Sequence, residues 1–578
     1  MNGSRDLPVV AYGNPKPVNL GLIALLAGAL MALALPTGTV PHIASLNLWL
    51  LAWVALAPLW VLMVGDRRQR RGLRRAGAWG LLWGGAYHGI GLVWITGLHP
   101  LMWLGVPWWG SVAIAGFCWT FITLWGAALV GVWAMAMASL HRLPGSQPWL
   151  RILTGTALWL GLEWLWSQSP LWWTALSLTQ SPGNPVILHL GQWSGPATVA
   201  AAIVAVNGCL AEAWLGWNRE YPAVPTKPIA GWVDQGDRLP SKELLQPAPT
   251  KFKIQNSKFK IQNLGCQRLW AIALALFLVS HAIGLFTWAT ALGDSPARAL
   301  RVGLVQGNIP TRIKLTPVGI QQSFQHYTAG YEQLADQGVD AVLTPEGTIP
   351  WLWEGPQRTQ NLFYQAVRDR GVVTWLGTFT TQQGHLTQNL LTLGGDGETI
   401  GQYDKVKLVP LGEYIPFQSW LGGFINRLSP ITATMVPGSM DQQMTTPFGP
   451  AIASICYEST FAELFRRQAH HGGQFILTAS NLDPYSEQLM AQHEAQDVMR
   501  AIETDRWAVR ATNTGYSGIV TPRGKVQWRS QPDRYQVHAA TIYRRTTQTP
   551  YVRWGDGLTP LLLLVALVAQ IRLRLIAH

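Results

Sequence analysis

Apolar residues along this chain follow two regimes. Up to about residue 292, and again from 554, they form long runs; between those points they come in short runs, separated by stretches where apolar positions recur every three or four residues. Eight of the long runs approach the roughly 20 apolar residues needed to cross a bilayer: 18–35, 46–64, 76–97, 111–139, 150–167, 194–216, 268–292 and 554–571. The first reads as a span rather than a cleavable signal, because it is long and further runs succeed it. In the middle region, buried strands are predicted at 301–305, 341–343, 372–376, 451–455 and 474–478, with helices at 318–337, 358–370, 460–470 and 484–503. A Gly-Gly-Asp-Gly turn at 394–397 joins predicted strands 389–393 and 398–403 into a hairpin.

The expected fold is thus a polytopic α-helical membrane domain of about eight spans plus an extracytoplasmic α/β domain layered with helices. Its expected division is 1–292 with seven transmembrane helices, 293–553 as the α/β domain, and 554–578 as the last span with a basic tail.

Composition supports a membrane and argues against nucleic acid. Apolar residues make up 48% and charged residues 13%, and the net charge of +13 is gathered in short segments between the long runs, most densely at 66–75 (DRRQRRGLRR). Such clustering obeys the positive-inside rule. Placing the N-terminus in the cytoplasm puts 66–75, 141–151, 217–267 and the Arg572/Arg574 tail inside. Loops 98–110 and 168–193, poor in Lys and Arg but carrying Trp103, Trp108, Trp109, Trp172 and Trp173, then lie outside, and so does 293–553. Within the inner loop, 251–263 reads KFKIQNSKFKIQN and is expected to be an insertion or disordered linker. Glu163 stands inside the fifth run, where a carboxylate costs about 2.5–3.5 kcal/mol. It should face the bundle interior, as a satisfied packing hydrogen bond or a contact to a lipid head group.

Candidate chemistry centres on Cys456, where strand 451–455 turns into a helix. Backbone N–H groups and the helix dipole at such a corner are expected to lower a thiol pKa and to stabilise nearby negative charge. Glu346 and Lys405 also lie just beyond predicted strand ends, where ligands gather in α/β sheets. A carboxylate there could act as general base, and an ammonium, with the backbone N–H of Tyr457, could stabilise an oxyanion. The four cysteines show neither CxxC nor metal-ligand spacing, and His493-Glu494 lacks the second His of a zinc motif, so no metal or cofactor is expected. Cys118, Cys209 and Cys266 fall in or beside spans, leaving Cys456 alone in 293–553. A lone thiol in an oxidising compartment favours use over packing.

The motifs TPEGTIP (344–350), YDKVKLVPLGEYIPF (403–417) and SICYES (454–459), in that order, resemble the Glu-Lys-Cys nitrilase superfamily. VGLVQGNIP (302–310), the spans and the LVPxGEYxP form narrow the resemblance to its membrane-bound branch, the apolipoprotein N-acyltransferases. The resemblance implies an αββα sandwich with Glu346, Lys405 and Cys456 as catalytic residues, and Glu413, Tyr457 and Glu458 in support. It implies a ping-pong reaction in which Cys456 takes an acyl chain from a phospholipid as a thioester and passes it to the α-amine of a diacylglyceryl-cysteine apolipoprotein. It also implies a bacterial inner membrane, with the α/β domain periplasmic. The chain departs from the family pattern at Leu482-Asp483-Pro484-Tyr485 and at Leu315, where a Trp is common. Trp351 and Trp353, and 417–424 with Trp420, are candidate lipid-access residues beside these motifs. Two other readings fit part of the pattern: a membrane-tethered amidase that uses water instead of an amine, and a non-enzymatic scaffold or transporter. Nothing in the sequence demands more than a monomer.

Overall fold

Every long apolar run with described residues lies on helix. The computed structural model describes residues 19–38, 48–65, 72–143, 146–220, 251–414 and 435–577. The helices are α1 (Leu20–Ala32), α2 (Ala57–Gly65, preceded by the 3-10 turn Leu48–Trp53), α3 (Gly72–Gly91), α4 (Trp108–Leu140), α5 (Pro148–Ser167), α6 (Pro196–Glu220), α7 (Lys251–Ala289) and a C-terminal helix, Leu558–Ala577. Among the described residues, five segments are long and apolar enough to cross a membrane: 48–65, 108–140, 196–217, 266–289 and 558–575. The runs at α1, α3 and α5 are shorter or more polar.

Close approach of these helices depends on small residues. A Cβ on Gly28 of α1 would stand 2.1 Å from the Trp83 carbonyl of α3, and one on Gly80 of α3 would stand 2.7 Å from the Val130 carbonyl of α4. Large aromatics fill the space between. Trp60, Trp83 and Trp133 are fully buried, and their indole N–H groups donate to Glu212 Oε1, the Ala55 carbonyl and the Gly155 carbonyl. Arg151, which the charge pattern assigned to an inner loop, is instead buried on α5 and donates through Nε to Glu212 Oε1 at 2.7 Å. An arginine can sit there because a carboxylate on α6 neutralises it.

The repeat at 251–263 is not a loop: helix α7 includes it and continues into the apolar run. Extending an existing helix avoids the nucleation penalty, so a stable apolar helix can recruit the residues before it. Of the expected 217–267 loop, residues 221–250 lie outside the described residues, as do 66–71 of the first basic loop.

Between α7 and the C-terminal helix stand two sheets. Strands β1 (Ala299–Gln306), β2 (Ala341–Leu343), β3 (Val373–Gln382), β4 (His385–Leu393), β5 (Thr399–Asp404) and β11 (Gln536–Tyr543) form one sheet in the order β11-β1-β2-β3-β4-β5. The other, in the order β10-β9-β8-β7-β6, contains β6 (Ile452–Ile455), β7 (Ile476–Ser480), β8 (Ala508–Thr512), β9 (Gly518–Val520) and β10 (Val526–Arg529). Alternation along each strand separates two faces. Leu300, Val302, Leu304, Trp375 and Leu390 meet Ala453, Ile455, Leu477 and Val509 between the sheets, whereas Val305, Val342, Leu376 and Leu391 pack against helices α8 (Pro317–Asp336) and α9 (Leu362–Arg370). Helices α10 (Ala462–His470) and α11 (Glu487–Thr504) cover the outer face of the second sheet, completing the helix–sheet–sheet–helix stack.

Helix α11 also docks this domain on the membrane helices. Its residues 489–504 are all buried, because both of its faces are covered. On the membrane side Leu489, Met490 and Ala491 join Leu92, Ile95 and Trp173 in one apolar cluster, and polar contacts fix the register. Gln492 Oε1 accepts from the indoles of Trp94 (3.1 Å) and Trp173 (2.7 Å), its Nε2 donates to the Gly91 carbonyl (2.9 Å), and Ser181 donates to the Ala495 carbonyl.

Candidate active site

Cys456 directly follows strand β6 with φ +55°, a left-handed backbone that a non-glycine residue adopts only where its surroundings impose it. The chain then makes the 3-10 turn Cys456–Thr460 and enters α10. Glu458 in that turn is fully buried and accepts from the backbone N–H groups of Ile455 (2.7 Å), Val406 (2.6 Å) and Lys407 (2.9 Å) and from Tyr403 Oη (3.0 Å). It thereby ties the cysteine turn of one sheet to the Lys405 loop of the other. Burial pushes its carboxyl up to about 7, against those backbone donors.

Lys405 comes directly after β5 and is buried. Its ammonium donates to Glu346 Oε1 at 2.9 Å, to Glu413 Oε1, and more weakly to Gln388 Oε1 at 3.4 Å. Burial disfavours this charge, but the two carboxylates outweigh it and hold the ammonium well above its ordinary pKa. Glu413 also accepts from Val409 N (2.8 Å), and its own carboxyl is pushed up by burial, against Lys405. Glu346, just past β2, accepts from Gln388 Nε2 at 2.8 Å and from Asn481 N at 2.9 Å. Cys456 Sγ faces the carbonyl of the same Asn481, at 3.8 Å. Carboxylate and thiol thus flank one residue at the end of β7.

The thiol does not behave as the strand-to-helix corner suggested. Burial, then the Glu346 carboxylate, push it well above its ordinary pKa, and Lys405 only partly offsets them. A resting neutral thiol therefore needs a base at the moment of attack.

Lys314 was not singled out in the sequence. It sits in the short helical turn after β1, is buried, and donates to the Glu346 carbonyl oxygen at 2.8 Å. Burial pulls its pKa down to about 8, opposed by the negative charges of Glu346, Asp483 and Cys456. An isolated Lys shortly after a strand that ends at Gln306 was the available signal; its partner, a main-chain carbonyl 32 residues away, had none. Asn513 was equally hidden: it accepts from Tyr327 Oη (3.0 Å) and Ile309 N (2.9 Å) and donates to Asn481 Oδ1 (3.1 Å).

The remaining expected residues are dispersed. The Tyr457 hydroxyl turns toward the membrane helices, donating to Leu408 O (3.2 Å) and Pro170 O (3.4 Å). Trp353 is buried in the core under α9, 6.3 Å from the Tyr364 ring centroid, and half-buried Trp351 packs on Phe324. These are positions of loop side chains folded inward to complete a core, not of arms presented to lipid. Trp420 and 417–424 lie outside the described residues. Among the departures, Leu482 is buried with Leu92, Ile95 and Trp173, Tyr485 packs edge-on against Trp94 at 5.2 Å, and Asp483 accepts from Thr311 N. That stretch belongs to an apolar cluster with Leu92, Ile95 and Trp173 against which Cys456, Trp119 and Ile122 also pack. Leu315 is exposed.

Two family profiles match the chain: carbon-nitrogen hydrolase over residues 301–551 and the apolipoprotein N-acyltransferase N-terminal domain over 27–209. The apolipoprotein N-acyltransferase of Nostoc sp. is 48% identical over 90% of this chain and 94% of its own length. That of Synechocystis sp. is 42% identical over 90% and 95%. Among solved structures, an amidase from Nesterenkonia sp. AN1 aligns at 18% identity over 45% of this chain and 98% of its own, with a TM-score of 0.32.

Proposed function

This chain belongs to the apolipoprotein N-acyltransferase family, and from that premise we propose how its residues carry out the transfer of an acyl chain from a phospholipid to the N-terminal amine of a diacylglyceryl-cysteine lipoprotein. Glu346 takes the Cys456 proton as sulfur attacks the ester carbonyl. The S–C bond forms, the ester C–O bond breaks, and Glu346 returns the proton to the leaving oxygen, releasing a lysophospholipid. In the second half the amine nitrogen attacks the thioester carbonyl, the N–C bond forms and the C–S bond breaks, and Glu346 takes the amine proton and returns it to the leaving sulfur, regenerating the thiol. Lys405, together with the backbone N–H of Tyr457, stabilises both tetrahedral oxyanions. Glu413 holds the ammonium, and Glu458 fixes the cysteine turn against the lysine loop. Lys314 positions Glu346 through its carbonyl.

The observation that carries this reading is the meeting of the Glu346 carboxylate and the Cys456 thiol on Asn481, with the Lys405 ammonium bonded to Glu346. The apolar cluster that Cys456 packs against, with Leu92 and Ile95 from the membrane-helix side, favours a lipid-borne amine over water, and so transfer over amide hydrolysis. The protein is a membrane protein. The proposed setting is a bacterial inner membrane, with residues 293–553 as the catalytic domain on the periplasmic side, both termini cytoplasmic, and a monomeric chain. Arg572 and Arg574, near the far end of the C-terminal helix from the α/β domain, support that orientation.

Intact-protein mass spectrometry after incubation with a defined phospholipid, without acceptor, tests the first half. The expected result is a hydroxylamine-labile gain of one acyl chain, absent in Cys456→Ser; an intact donor and an unmodified chain would overturn the reading.

Lys314 gives a second test. Its ammonium persists below about pH 8, so the acylation rate should fall as pH rises through that value. In Lys314→Met the rate should be about 10- to 100-fold lower, the loss of one charge-assisted hydrogen bond, and this alkaline limb should vanish. Stability runs the other way. Because the folded pKa lies below the ordinary 10.5, the unfolded chain binds more protons between those values, and this group's contribution rises with pH across that window. Wild-type and Lys314→Met profiles of the same shape would remove Lys314 from the site.

A further inference from the structure

A cavity of about 470 Å³ lies between the membrane helices and the α/β domain, and Cys456 does not line it. Phe461, which does, packs edge-on at 5.2 Å against Tyr457, the residue after the cysteine, and Thr460 at the end of the same turn also lines the cavity. Two buried hydrogen-bond donors on its α/β wall lack a partner among the described residues, and a lysine stands beside them. Arg500 is 1% exposed; its Nη2 donates to Glu503 Oε1 at 2.8 Å, but Nε is unsatisfied. Thr460 is 7% exposed with an unsatisfied hydroxyl. Half-buried Lys407 places its Nζ over the Phe461 ring at 4.9 Å, with the Glu458 charge favouring its ammonium against burial. Arg466, beside them, is already held by Glu463.

Buried donors without acceptors are costly, and a cation, a guanidinium edge and a hydroxyl lining one space suit a group with several anionic oxygens. The membrane wall differs. Exposed Trp164, buried Trp172 and half-buried Pro196 line it, together with Glu163 and Asp556. Leu176 N donates to one Glu163 oxygen at 2.7 Å, and Asp556 accepts from Ser194 and Thr559. A ligand entering past Trp164 would thus pass an indole of the kind that sits at head-group level in bilayers.

We propose that this cavity holds the phosphate head group of an intact membrane phospholipid, as a second lipid site separate from the thiol, with its acyl chains running out beside α5. Lys407, Thr460 and Arg500 would bind the phosphate oxygens, and Glu163 and Asp556 would face a head-group amine. The inference rests on the membrane reading above, but not on acyl transfer.

Native mass spectrometry of the full chain in detergent, saturated with dioleoyl phosphatidylethanolamine, tests it. Wild type should carry one intact phospholipid beyond any acyl adduct. Lys407→Gln combined with Thr460→Val should weaken its retention at least tenfold, Lys407→Arg should retain it, and dioleoylglycerol, which lacks phosphate, should not be retained. Unchanged retention in the double variant, or equal retention of dioleoylglycerol, would overturn the proposal. Displacement of the lipid by equimolar glycerol 3-phosphate would also overturn it, assigning the site to a soluble phosphate ester. An absent acyl adduct with the retained lipid still sensitive to Lys407 and Thr460 would strike the transfer reading and leave this one standing.

Discussion

Cys456→Ser is expected to lower lysophospholipid release by about 10⁴-fold or more while leaving the unfolding temperature of the chain unchanged. The substitution alters one atom, keeps the side-chain shape, and places no new demand on the left-handed backbone at φ +55°. The chemistry changes far more. The thiol is already pushed above its ordinary pKa by burial and by Glu346, and a hydroxyl is a far weaker acid still, so the same carboxylate would have to remove a much less available proton. A serine ester, once formed, would also resist the incoming amine more than a thioester does. Release of lysophospholipid by the purified full chain measures the first step, and release within tenfold of wild type would show that Cys456 is not the nucleophile.

The second large effect concerns stability as much as rate. Lys405→Met should destabilise the chain by about 3–5 kcal/mol near neutral pH, because it leaves the Glu346 and Glu413 carboxylates facing one another without their shared cation. Two enclosed carboxylates of like charge share a proton, which raises one folded-state pKa above its unfolded value. The folded variant then binds more protons than the unfolded chain, so its stability falls as pH rises through the window above the unfolded carboxylate pKa, and acidification should restore part of it. Adding Glu413→Gln should restore part as well, by removing one of the two charges. Acyl transfer should stay at least about 10³-fold down in both variants, since no cation faces the oxyanion. Thermal unfolding at pH 5 and pH 8 checks the sign. A Lys405→Met chain as stable as wild type at both would mean that the ammonium does not hold this pair together.

Much of the α/β domain could be read in advance because its signals are local. A run such as Val302–Val305 alternates between two apolar faces, and the Gly-Gly-Asp-Gly turn fixes the β4–β5 hairpin at the expected residues. Glu346, Lys405 and Cys456 were legible as candidates because each stands directly or nearly directly after a strand, where ligands gather in α/β sheets, and because the motifs around them resemble a known family. Lys314, Gln388 and Asn513 were not, because what marks them is a partner distant in the chain. The same limit explains the errors. Trp353 and 251–263 carried patterns that fit an interfacial arm and a polar linker, and neither pattern registers a core that needs filling or a helix already nucleated downstream.

The order of hydrophobic and polar residues by itself determined a membrane-helical chain interrupted by an α/β domain, because spans and strands arise from local periodicity; the two-sheet stack and the three candidate residues Glu346, Lys405 and Cys456 as a set came from the resemblance of their motifs. Only the tertiary structure decided the state of those residues. It closed the ammonium between two carboxylates, raised the thiol rather than lowering it, added Lys314 behind the base, and set the whole against the membrane helices through α11. Charge and burial in a folded protein depend on groups brought together across hundreds of residues, and the chain order alone does not carry those distances.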